Sequence, residues 1–225
     1  MNVNDKKAFV LHIRSYRENS YLLELFAEDK GRFSAIARGQ KNRIQMFTPY
    51  SITTMGKTDL KSIKVFEVQG SGYSLSGKRL FSAMYLNEVI YRCLPKALAE
   101  NRLFSAYQAT LLDLSDASVE VGKSLRCFEF LLFETLGFAL FPDEDLASIF
   151  RRDNFYRFVG AEGFVEVRDE DAAAVDVFSG QSLLAIAAYC FDNPESVRDG
   201  KRLARLAFRY FFEINEFKSR RLFIN

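Results

Sequence analysis

The residues best suited to chemistry in this sequence are cations with aromatic rings set between them. Arg14 and Arg17 flank Tyr16, Phe33 follows Arg32, and Arg38, Lys41 and Arg43 come soon after. Guanidinium and ammonium groups neutralise oxyanions, and an interleaved ring offers a face on which a nucleobase can stack. The pattern therefore points to a polyanion. Phe33 reads more naturally as core. For Tyr16, in a polar stretch, stacking ring and packed ring stand level. Arg38, Lys41 and Arg43 read as functional, because the loop that holds them has no core to serve.

Groups that would make or break bonds are not assembled. His12 is the sole histidine and follows Leu11 in an apolar run, with no Ser or Cys set beside it. Gly70-Ser71-Gly72 lacks the Lys-Ser/Thr of a phosphate loop. Asp169-Glu170-Asp171 lacks the Gly and Asn spacing of a calcium loop and reads as a solvated turn. Cys93, Cys127 and Cys190 are scattered singly, short of the closely spaced four-ligand sets that structural zinc needs. The expectation is a protein that is not an enzyme and holds no cofactor or metal.

Charge is unevenly shared. The chain has 225 residues and a net charge of +2, yet residues 1–80 carry 14 Lys and Arg against 7 Asp and Glu. The remainder is net acidic, so anion binding is expected in the first part. No run of 18 apolar residues occurs and MNVNDKK is followed by no apolar leader segment, so a cytoplasmic protein with no membrane contact is expected.

The elements that must position these cations have two periods. Residues 7–69 read as five short strands. Phe9 to about Arg14 forms the first, and 15–20 a polar loop. A hairpin turns at Glu28-Asp29-Lys30-Gly31, where glycine supplies the positive φ. Pro49 to Met55 and Ile63 to Val68 follow, the latter alternating apolar and polar. Five strands in so short a stretch fit a small closed barrel. Gly70 to Gly77 is the clearest boundary, and beyond it apolar residues recur every three or four positions. Helices are expected over Leu80–Leu94, Leu103–Leu114 and Leu125–Leu136, then a short hairpin near 154–167. Ser179 and Asn193 are expected to cap two more. The last helix sets Leu203, Leu206, Ala207, Tyr210 and Phe211 on one face. Arg198, Lys201, Arg202, Arg205 and Arg209 lie nearly opposite. A basic stripe is usually a solvated face, yet an apolar groove bordered by arginines also suits an acidic peptide with an apolar tip. The architecture expected is multi-domain α+β: an N-terminal barrel domain over residues 1–77, then a mostly α-helical domain over 78–225.

Several segments together resemble the bacterial recombination mediator family RecO. They are Ala8-Phe9-Val10-Leu11-His12, Arg17-Glu18-Asn19-Ser20, Glu28-Asp29-Lys30-Gly31-Arg32 and Ala37-Arg38-Gly39. Further on come Tyr85-Leu86-Asn87-Glu88, Leu125-Arg126-Cys127-Phe128-Glu129 and Phe217-Lys218-Ser219-Arg220. The resemblance implies an OB-fold followed by a helical domain. It also implies a non-enzymatic, nucleoid-associated role in DNA repair and recombination after DNA damage. Such a protein binds single- and double-stranded DNA and anneals complementary strands. It holds the acidic C-terminal tail of the single-strand DNA-binding protein and, with RecR, helps load RecA. Many family members carry a four-cysteine zinc site after the third helix. Phe141-Pro142-Asp143-Glu144-Asp145 stands there instead, so metal binding is not implied.

Carried onto matching positions, DNA contact falls on Arg14, Arg17, Arg32, Arg38 and Lys41, to which the charge pattern adds Tyr16 and Arg43. Tail capture falls on Arg126, with Phe128 and Leu132 as helical neighbours. Arg205 and Arg209 join from charge pattern alone. The rival reading is a protein-interaction adaptor whose barrel binds a protein partner rather than DNA.

Overall fold

The computed structural model describes residues 7–39, 44–56, 60–138, 140–168 and 172–223. Two compact units emerge: residues 1–119 with 217–225, and residues 120–216.

The first unit begins with β1 (Lys7–Tyr16), β2 (Ser20–Ala27), β3 (Gly31–Arg38), β4 (Tyr50–Met55) and β5 (Leu60–Val68). They close in the order β1-β2-β3-β5-β4, with β3 and β5 parallel and the other pairs antiparallel. This is the five-stranded Greek-key barrel of the OB-fold. Strand residues alternate between faces, and Val10, Leu23, Leu25, Ala35, Ala37, Ile44 and Tyr50 fill the interior. Phe33 packs against that interior from its margin. β1 runs two residues further than expected, so Tyr16 ends a strand, opposite Ser20, rather than sitting in a polar loop. Only Arg17–Asn19 are left for the turn, with Arg17 at φ 56°.

Two helices lie on the barrel, α1 (Gly77–Cys93) and α2 (Asn101–Ser115). Phe9 and Phe26, at outward positions of β1 and β2, pack against Phe104 and Tyr107 of α2 with ring centroids 5.1–5.8 Å apart. Tyr107 donates to Asn87 Oδ1 at 2.7 Å, and Asn87 Nδ2 donates to the Leu11 carbonyl at 3.2 Å. All three residues are buried, so strand and helices share one satisfied polar link inside an aromatic core. The chain after α1 crosses the foot of β3. Ala97 N donates to Arg32 O, and a Cβ on Gly31, at φ +64°, would run into the Leu98 carbonyl. Glycine is required there twice over, by the turn and by the close approach. A 3-10 segment, Lys218–Phe223, returns to α1, where Glu88 accepts from the Lys218 and Ser219 amides and from Ser219 Oγ.

The second unit holds α3 (Val121–Thr135), α4 (Leu146–Ile149), β6 (Phe155–Phe158), β7 (Phe164–Val167), β8 (Val177–Ser179), α5 (Gly180–Ala187) and α6 (Pro194–Phe212). The expected hairpin is β6–β7, and β8 completes a three-stranded sheet in the order β7-β6-β8. Ser179 and Asn193 cap α5 and α6 as their side chains allow. The faces of α6 are rotated from the expected ones. Ser196, Asp199, Gly200, Leu203, Ala204, Ala207 and Phe208 are buried, while Tyr210 is 54% exposed. Asp199 is the reason. Ser182 Oγ and Arg202 Nη1 both donate to it, and Arg202 reaches on to the carbonyls of Ala174, Val175 and Val177. A satisfied carboxylate can thus lie inward, which apolar periodicity does not reveal.

Among the described residues no helix is long and apolar enough to cross a membrane, and no three His, Cys, Asp or Glu gather as metal ligands.

Candidate nucleic-acid interface

The outer face of β1, β2 and β3 is laid out in rows by strand register. Tyr16, Ser20 and Arg38 lie abreast, then Arg14, Leu22 and Ile36, then His12, Glu24 and Ser34. β5 extends the sheet, with Leu60 beside Ser34 and Ser62 beside Ile36. Lys64 follows Ser62 by two positions, as Arg38 follows Ile36. Arg14, Arg38 and Lys64 are exposed and have no ion pair among the described residues. Arg17 sits in the β1–β2 turn with its guanidinium 5.3 Å from the Tyr16 ring centroid. That contact leaves the charge exposed while holding the half-buried ring in place. One end of the face is therefore cationic.

Not every cation named from the sequence reaches that end. Arg32 is turned to the opposite end of the same strand and is 13% exposed. Its Nη1 pairs with Glu24 Oε2 at 3.2 Å, and its Nε donates to Leu94 O at 2.7 Å. Lys96 also approaches Glu24, at 3.6 Å. Arg32 is thus committed to fastening the post-α1 chain to the barrel. Lys41 and Arg43 lie outside the described residues. Lys64 went unnoticed in the sequence, where it looks like the polar member of an alternating strand. Its signal is the register shift between Thr53 and Thr54, which leaves Lys64 unpaired with β4.

The residues proposed for peptide capture divide in the same way. Phe128 and Leu132 are in the core of the second unit at 1% and 0% exposure. Arg126, at 4%, donates to Glu129 at 2.5 Å one helical turn on. As placed, none of the three presents a side chain to solvent. Arg205 and Arg209 are exposed on α6.

Comparison with known proteins fits this architecture. A family model described as Recombination protein O N terminal matches residues 1–71, and one described as Recombination protein O C terminal matches residues 75–221. The chain belongs to the RecO family. It is 36% identical to a protein of Psychromonas ingrahamii named DNA repair protein RecO, over 99% of both chains. A protein of the same name from Coxiella burnetii is 35% identical, over 96% of this chain and 95% of its own. Another, from Tolumonas auensis, is 36% identical over 96% and 93%. The RecO N-terminal match covers all five barrel strands, and the C-terminal match covers every helix from α1 to α6.

Proposed function

We propose that this RecO-family chain is a recombination mediator in DNA repair. It binds single- and double-stranded DNA on the barrel and anneals complementary strands. It also holds the acidic C-terminal tail of the single-strand DNA-binding protein and, with RecR, promotes loading of RecA. In this reading residues 1–77 form the OB-fold nucleic-acid-binding domain. Residues 78–225 form the helical domain that meets protein partners. The relatives named DNA repair protein RecO support the process. The observation that carries the reading is the cluster Arg14, Arg38 and Lys64, exposed and without ion pairs among the described residues, at one end of the outer face of an OB barrel. Cations that meet phosphates and leave base edges alone bind any sequence. Two strands held on one such surface repel each other less, and this favours pairing.

The test is salt-dependent binding by the full chain. On single strands each neutralised phosphate contributes a log–log slope of about −0.7. The triple variant Arg14→Ala, Arg38→Ala, Lys64→Ala should therefore lose affinity and about two units of slope. A slope unchanged by the triple variant would overturn the assignment of the face. It would favour the adaptor reading, for which Met55 at 54% and Leu60 at 38% exposure provide apolar contact on β4 and β5.

A further inference from the structure

His12 is left unused by everything above, yet it is exposed on the outer row of β1, two positions from Arg14. Its imidazole stacks on the ring of Tyr91, near the end of α1, with centroids 5.7 Å apart and planes at 22°. Tyr91 is 41% exposed. The Arg32 guanidinium lies 5.5 Å from its ring centroid. Lys96, half exposed, stands beside the same cluster through Ser34 and Glu24. An exposed imidazole thus lies against a partly exposed phenol ring, with the Arg32 guanidinium close to the latter.

We propose that the His12–Tyr91 pair is a stacking platform for an unpaired nucleobase. It carries the nucleic-acid path along the β1 row, from Tyr16 through Arg14 to His12, and off the barrel onto α1. This rests on the reading of the outer face as a DNA surface and adds a ligand preference to it. Bases in a duplex are already stacked on one another, so the platform acts on single strands only. Loss of one base stack at an exposed site costs roughly fivefold to tenfold in affinity, the lower part of the usual range. Arg14 and Lys96 hold the phosphates on either side of the stacked base.

The experiment uses the full chain, an oligothymidylate strand, a duplex of equal length and a strand carrying 5-iodouracil for photocrosslinking. The expected result has three parts. Crosslinks map to Tyr91 or His12. Tyr91→Leu weakens single-strand binding about fivefold and leaves duplex binding unchanged. Tyr91→Phe, which keeps the ring, binds like the parent chain. Equal losses for single strand and duplex would assign Tyr91 to fastening α1 and overturn the proposal. Wild-type affinity of Tyr91→Leu for both would also overturn it, while leaving the cationic face standing. Failure of the parent chain to bind any DNA would instead remove the reading beneath it. Comparing thermal unfolding of Tyr91→Leu with that of the parent separates lost contact from lost fold.

Discussion

Among single residues, Arg126 shows how a charge can be conspicuous in a sequence and hidden in a structure. It is 4% exposed, pairs with Glu129, and leaves Nε without a hydrogen-bond partner among the described residues. Removing one member of a buried pair strands the other's charge, at a cost of about 3–5 kcal/mol. Arg126→Ala should therefore lower the unfolding free energy by that amount, read as a lower denaturant midpoint at unchanged slope. The double variant Arg126→Met, Glu129→Leu should recover most of it, because neither charge is then left alone. A small effect of Arg126→Ala on stability would contradict the pairing. The sequence showed Arg126 as a cation in an apolar helix, and cations three residues from an acid are common on surfaces. What decides burial is the neighbouring chain. Gly200 of α6 has no Cβ and lies against the Arg126 side chain, and nothing near Arg126 in sequence reports that. Arg14 and Arg38 were legible because an exposed strand end needs no distant partner. Arg32 was not, because its partner Glu24 is a hairpin register away.

Elements were legible in proportion to their length and the regularity of their period. The barrel strands and the first three helices follow from alternation, from three- and four-residue spacing, and from the Gly31 turn. β8 has three residues, too few for any period, and it exists because β6 offers it a free edge. The closing 3-10 segment entered the sequence reading only among the segments that carry the family resemblance, with no element assigned to it, although Glu88 on α1 holds it. Burial pushes the Glu88 carboxyl up. Hydrogen bonds from Ser219 and Lys218 and the nearby Arg92 outweigh that, and the net displacement is below its ordinary 4.5. A carboxyl depressed on folding stabilises the fold above its unfolded-state value. That contribution disappears as pH falls through the folded-state value. Amide protection across residues 218–223 should hold from neutrality down to about pH 4.5 and decline below it. Glu88→Gln should show the reduced protection at every pH. Hydrogen exchange read by mass spectrometry gives both, and protection unaffected by Glu88→Gln would contradict the anchoring role.

For the whole molecule, exposed cations are found on both compact units. Arg14, Arg38 and Lys64, without ion pairs among the described residues, cluster on the barrel, and α6 displays Arg205 and Arg209 on the second unit. If DNA and the acidic protein tail use these surfaces separately, their losses separate too. Arg205→Glu with Arg209→Glu should reduce tail-peptide binding at least tenfold while DNA affinity changes less than twofold. The barrel triple variant should do the reverse. Fluorescence anisotropy with labelled peptide and labelled strand measures both, and joint loss in either variant would refute the separation. The connectivity of the first unit has a consequence for how the protein is made. Its last contact joins Glu88 to Ser219 across 131 positions, with Phe217 seated against Tyr85. At the usual pace of translation those partners leave the ribosome on the order of ten seconds apart. Through that interval Tyr85 and Glu88 of the nascent chain wait without the partners that cover and satisfy them in the finished fold.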